Sequence, residues 1–249
     1  MAAPRKPIVD AAAPYAAVRD LVLANKILAN EGIVDAFGHV SARHPVNPSR
    51  YLISRSLAPS LVQGEDIVVL DLDSNPIGDT KVALFLERFI HGEIYRRRPD
   101  VQAIVHSHSP TTIPFGVTSV KLRPICHMSG FLEPAAPVFE IRDEVRNSDL
   151  LVRTPALGVA LAQTLGQRPV ALMRGHGNVV VGPELKIAVY RAIYCELNAR
   201  LQLQALQLDS KPKYLSTGEA ENSDATNMKV VGRAWRHWAG RAGFADLLE

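Results

Sequence analysis

Four short apolar runs constrain the fold most: Ile67 to Leu72, Ala103 to Val105, Val170 to Met173 and Val179 to Val181. With His39 to Arg43 and Tyr51 to Ser54 they read as strands, and the run ending at Leu72 closes at the turn signal Asp73-Ser74-Asn75-Pro76. Helical spacing fills the gaps. A first helix is expected from about Tyr15 to Ala29, stopped near Gly32, and a second from about Val82 to Arg97, with Phe85, Leu86, Phe89, Ile90 and Ile94 as its apolar stripe. Pro110 and Thr111 open another helical stretch, Thr154 caps a helix from Pro155 to Leu165, and a long helix runs from about Glu184 to Leu208. A loop around Lys211 to Asn222 and an amphipathic segment with Trp235 and Trp238 close the chain. No linker, repeat or low-complexity tract divides the sequence, so the simplest architecture is one α/β domain over residues 1–249, helices covering a central sheet, with a core of about 15–209 and a tail of 210–249.

The chain has 249 residues, of which 47% are hydrophobic and 21% charged, which excludes a disordered tail, a collagen-like rod and a disulfide-stapled mini-protein. A net charge of +3 does not predict nucleic-acid binding, and the run Arg96-Arg97-Arg98 is read as cations at a helix C-terminus. Cys126 and Cys195 lie far apart with no signal-like segment before them, and the alanine-rich start from Ala11 to Ala17 is broken by Pro14. A reduced, cytoplasmic compartment is therefore expected, with no disulfide and no membrane span.

Several enzyme classes are missing their signatures. There is no G-x-G-x-x-G, no P-loop and no G-x-S-x-G elbow, and neither cysteine has a visible activating partner. Histidine remains. His106 and His108 end an apolar strand two residues apart, so strand alternation points both rings to one side. His176 sits between Gly175 and Gly177 in a bend between two strands. Three neutral imidazoles leave a divalent ion with open positions, as in catalytic sites. On spacing alone, an H-x-H is more often a surface or hydrogen-bonded pair, and His176 brings the two readings level. Glu87, with His91 four residues on along the same helix, is either a surface carboxylate, the commoner case, or a partly buried acid/base group beside the ion. His91 is expected to face solvent, His44 to be solvated and His237 to be structural, while His39 and His127 stay open.

These residues resemble the class II aldolase/adducin family from about Ala24 to Leu208. The markers are Glu87 ahead of the His106-Ser107-His108 pair, the Arg98-Pro99-Asp100 segment before its strand, the later Arg174-Gly175-His176-Gly177 bend, and Gly38-His39-Val40-Ser41-Ala42-Arg43 in place of a G-N-[VL]-S-x-R segment. The resemblance implies a three-layer α/β/α fold with a central, largely antiparallel sheet. It also implies a divalent metal held by His106, His108 and His176 (Mn2+ or Zn2+ favoured, Co2+ or Fe2+ compatible), Glu87 as acid/base residue, and a homotetramer with sites between subunits, in which His127 donates a proton to a neighbour's site. Where the sugar-phosphate aldolases of the family hold a phosphate, this chain has His39, Ser56-Leu57 and Phe85-Leu86, whose apolar members would leave a buried dianion short of hydrogen bonds.

The segments Tyr51 to Pro59 and Asp71 to Pro76 look more like the branch of metal-dependent decarboxylases of hydroxylated aromatic acids, of the hydroxypyridine-dicarboxylate and dihydroxyphthalate type. That implies an aromatic carboxylate as substrate, bound by His39, Ser54, Arg55, Ser56 and Phe85. The alternatives are aldol cleavage of a non-phosphorylated hydroxy acid or sugar-derived substrate, an iron(II) oxygenase on the same ligands, and a non-catalytic adducin-like scaffold.

Overall fold

The computed structural model describes residues 14–78 and 80–248, so Ala11 to Ala13 of the alanine-rich start lie outside the described residues. Strands β1 (His39–Arg43), β2 (Arg50–Ser54), β3 (Ile67–Asp71), β4 (Ala103–Ser107), β5 (Val138–Phe139), β6 (Val170–Met173) and β7 (Gly177–Gly182) form a single sheet in the order β3-β2-β1-β4-β7-β6-β5. Every pairing is antiparallel except that of β5 with β6.

Helices lie on both faces of the sheet. Strand alternation sends Ala103 and Val105 of β4 and Val170 and Leu172 of β6 into one core, together with α1 (Tyr15–Asn30), α5 (Leu185–Leu208) and α7 (Val231–Arg241). Ile104, Ala171 and Met173 face the opposite core, under α2 (Arg88–Arg97) and α4 (Pro155–Leu165). Burial on both faces explains why the strands read as continuous apolar runs instead of alternating ones. The sheet is thus the middle of three layers. Among the described residues, no helix is long and apolar enough to cross a membrane.

Two expected elements differ. Residues 82–87 do not join α2, because Phe85 is drawn against His39 at 4.5 Å between ring centroids and the helical stripe is interrupted there. Tertiary packing outweighs a periodicity that is only locally helical. The tail is also more ordered than a loop: Ser216 and Glu219 form a capping box that starts α6 (Thr217–Met228), and α6 packs on the 3-10 turn His127–Leu132. The short α3 (Ile113–Gly116) follows Pro110 and Thr111. Of the arginine run, Arg98 is mostly buried and holds Asp100 with two nitrogens as well as the Gly166 carbonyl, so it ties the end of α2 to the end of α4.

Candidate metal centre

His106 is the fourth residue of β4 and lies between His39 of β1 and Val179 of β7 in the sheet register. It shares a face with Ile104, the face that α2 covers. His108 follows the strand. His176 reaches the same place from the β6–β7 bend, where Gly175 adopts φ +67° and where a Cβ on Gly177 would lie 2.0 Å from the Ser107 carbonyl oxygen. Only glycine lets the bend press flat against β4 at that point.

Glu87 is not on the helix: it occupies the N-cap position of α2, and its side chain does not cap that helix. Its Oε1 instead accepts the Val152 N–H at 2.9 Å, which leaves Oε2 at 3.5 Å from His106 Nε2 and 3.4 Å from His176 Nε2. His108 Nε2 lies 3.1 Å from His176 Nε2. One ligand atom from each of Glu87, His106, His108 and His176 falls within 4.8 Å of all the others.

The second nitrogen of each ring fixes its tautomer. His106 Nδ1–H donates to the Asn178 carbonyl at 3.0 Å, His176 Nδ1–H to the Leu150 carbonyl at 2.8 Å, and His108 Nδ1–H to Asp35 Oδ2 at 3.1 Å. Carbonyl and carboxylate oxygens only accept, so the proton sits on Nδ1 and all three Nε2 lone pairs turn inward. His106 Nε2 is buried with no hydrogen-bond partner among the described residues. A buried lone pair without a donor calls for one, and tetrahedral ligands about 2.0–2.2 Å from an ion lie about 3.3–3.6 Å apart, close to the spacings here. The four groups fit a divalent metal.

Electrostatics within the cluster are coupled. Burial alone would raise the Glu87 carboxyl, but the imidazoles of His106 and His176 beside it outweigh burial and hold it below the usual carboxylate range. Burial and the neighbouring His106 lower His108. Burial also disfavours the charged form of His176, yet Glu87 overrides this and raises it. His39 is held well below its ordinary value by burial and by His91 and His106.

Of the residues expected to bind substrate, His39 and Phe85 are brought to the cluster: the His39 ring stands 4.9 Å from that of His106 and 4.5 Å from that of Phe85. Ser56 is exposed, with its N–H on the Ala83 carbonyl at 2.8 Å, next to the loop that carries Phe85. Arg55 is half-buried and gives Nε to Asp66 at 2.7 Å, so the fork expected for a carboxylate is already partly engaged. Ser54 is not brought to the site, because alternation with Ile53 turns it to the α1 face of the sheet. His127 is exposed on its 3-10 turn and is not one of the four clustered groups.

His91 and His44 also depart from expectation. His91 is fully buried, and His44 is buried with its Nδ1 accepting the Val46 and Asn47 N–H groups at 3.2 and 3.1 Å. Two contributors to the geometry of the cluster went unseen in the sequence. Asp35 accepts the Phe37 and Gly38 N–H groups while orienting His108, and an aspartate three residues before a glycine was the available signal. The 150–154 segment supplies both Leu150 O and Val152 N–H, with Leu150 held at φ +69°, a left-handed conformation uncommon for a non-glycine residue.

Three imidazoles and a carboxylate gathered against a largely antiparallel sheet within an α/β/α sandwich define a class: α/β proteins built around a candidate metal centre. Residues 19–203 match the Class II Aldolase and Adducin N-terminal domain, and the chain belongs to that family. It is 36% identical over 244 residues to the decarboxylase tropJ of Talaromyces stipitatus, covering 89% of this chain and 92% of that protein. It is 30% identical over 243 residues to a 3,4-dihydroxyphthalate decarboxylase of Arthrobacter keyseri, covering 93% and 96%. The L-fuculose 1-phosphate aldolase of Glaciozyma antarctica superposes with a TM-score of 0.72 at 22% identity over 91% of this chain and 90% of that one, a likeness of fold alone.

Proposed function

We propose that this lyase decarboxylates a hydroxylated aromatic carboxylic acid, with one divalent ion per chain held by His106, His108 and His176. The convergence of three inward Nε2 lone pairs beside the ionised Glu87, one of them buried without a donor, carries the reading. Two relatives that cover nearly the whole chain and are named decarboxylases support the reaction type, one of them named for a dihydroxyphthalate. A divalent ion in such a site supplies Lewis acidity toward oxygen donors, with Mn2+ or Zn2+ favoured and Co2+ or Fe2+ compatible with the same ligands.

The residues divide the remaining work. Phe85 offers an aromatic ring a flat apolar face, and His39 stands beside it with a polar edge. The terminal nitrogens of Arg55, whose Nε is held by Asp66, and the hydroxyl of Ser56 are the donors assigned to the substrate carboxylate. Glu87, pinned through Oε1 by the Val152 N–H, keeps Oε2 in place to relay a proton from water to the ring carbon as its bond to the departing carbon dioxide breaks. The exposed His127 acts in a neighbouring subunit of a cytoplasmic homotetramer, where it donates a proton.

The test incubates metal-loaded protein with 3,4-dihydroxyphthalate, a hydroxypyridine dicarboxylate and a panel of non-phosphorylated hydroxy acids, with carbon dioxide and aldehyde measured separately. Carbon dioxide release from an aromatic acid without aldehyde is expected. Aldehyde from a hydroxy acid, with no carbon dioxide from any aromatic acid, would replace decarboxylation by aldol cleavage.

A further inference from the structure

Behind His39 runs a buried line of hydrogen bonds that the metal ligands do not share. The Tyr95 hydroxyl lies 2.8 Å from Ser41 Oγ, Ser41 Oγ lies 2.6 Å from His91 Nδ1, and His91 Nε2 lies 2.7 Å from His39 Nδ1. Ser41 and His91 are 0% exposed, Tyr95 1% and His39 2%, so water does not complete these contacts. Burial, with a smaller push from His106, lowers His91 to about 3, and each ring in the line is neutral. Hydroxyls and neutral imidazoles carry one proton per link, so such a line can be polarised in only two senses.

Its inner end chooses the sense. Tyr95 is kept protonated by burial, and among the described residues Ser41 Oγ is its hydrogen-bond partner. The Tyr95 O–H therefore donates to Ser41, the Ser41 O–H donates to His91 Nδ1, and His91 Nε2–H donates to His39 Nδ1. The reverse sense would leave the tyrosine proton buried without an acceptor, the more costly arrangement. His39 must then carry its own proton on Nε2, which has no partner among the described residues and is not one of the buried unpaired atoms.

We infer that Tyr95, Ser41 and His91 lock His39 as the Nε2–H tautomer, so that the wall of the site next to His106 presents a fixed hydrogen-bond donor and selects a substrate with an anionic oxygen, carboxylate or phenolate, at that position. His91 and Tyr95 are positioning residues, acting through His39. The tautomer stands on the hydrogen-bond line and the burial of its members; its role in substrate choice rests on the decarboxylase reading. A site wall with a donor that cannot become an acceptor rejects a substrate placing an N–H or a protonated hydroxyl donor there, because two donors would face each other.

The test uses full-length protein labelled with 15N-histidine and reads the His39 ring by long-range proton–nitrogen correlation, with assignment from His39→Gln. Wild type is expected to show Nε2–H and a bare Nδ1. Tyr95→Phe, which removes one oxygen, is expected to mix the two tautomers and to raise KM for 3,4-dihydroxyphthalate about tenfold, with a smaller change in kcat. His91→Gln, whose amide N–H can still reach His39 Nδ1, is expected to restore the pattern that His91→Leu loses. Nδ1–H in wild type, or a Tyr95→Phe spectrum identical to wild type, would overturn the inference. Because the spectrum needs no turnover, an absence of decarboxylation with the expected tautomer would count against the substrate reading only.

Discussion

Glu87 and Val152 are joined by a 2.9 Å hydrogen bond from the Val152 N–H to Oε1, and this bond gives the two oxygens of one carboxylate separate duties. Oε1 anchors the side chain to the segment before α4, while Oε2 faces His106 and His176. Glu87→Gln can keep the anchor through its carbonyl oxygen but loses the basic oxygen. Turnover should fall by about 10²- to 10⁴-fold while the metal stays bound. Near-normal kcat in the metal-replete variant would remove Glu87 from the chemistry.

Asp35 holds His108 through Nδ1; burial would raise its carboxyl, but the Phe37 and Gly38 N–H groups together with His108 outweigh burial and keep it below its ordinary value of 3.8. Asp35→Ala frees the ring to rotate and weakens its basicity. Metal affinity measured by competition with a chelator should drop by about 10- to 100-fold. An unchanged affinity would mean that the sheet alone orients His108.

Gly177 presses the β6–β7 bend onto β4, and an added Cβ would lie 2.0 Å from the Ser107 carbonyl oxygen and 3.0 Å from the His108 Cα. Gly177→Ala must push the two strands apart. Thermal melts should report a loss of about 1–3 kcal/mol, and the metal titration should weaken with it, because His176 and His108 separate. A variant as stable as wild type with intact binding would show that the bend tolerates the displacement.

Asp224 supplies a pH signature away from the site. Burial holds its carboxyl above the ordinary value of 3.8 despite the attraction of Arg191, and Oδ1 has no hydrogen-bond partner among the described residues. The folded chain therefore binds this proton more tightly than the unfolded chain, and ionisation costs stability as pH rises from 3.8 through the folded value. Asp224→Asn removes that slope. Its melting temperature relative to wild type should climb between about pH 4 and about pH 7. A difference that stays flat or falls over that range contradicts the assignment.

Much of the fold was legible because its strands are covered on both faces and so stand out as short apolar runs; β1, β6 and α4 match their expected bounds. The clustering of His106, His108 and His176 was legible because strand alternation and a glycine-flanked bend are local signals. His91 was misread because a histidine beside charged residues on a helix looks solvated, whereas its partners Ser41 and His39 lie about fifty residues earlier. Ser54 lies on the face away from the cluster because its side of the strand depends on register, which the pairing with β3 sets. The start of α2 was drawn too early because Phe85 fits the helical stripe but is spent on His39. Asp35 and the Leu150 carbonyl act through distant contacts that no local pattern encodes.

The most direct measurement is carbon dioxide release from 3,4-dihydroxyphthalate as chelator-stripped protein is titrated with Mn2+. The predicted curve starts at zero, rises to a plateau at one ion per chain, and stays flat for His106→Ala. Full release from the stripped protein, or an undiminished plateau in His106→Ala, would contradict the account.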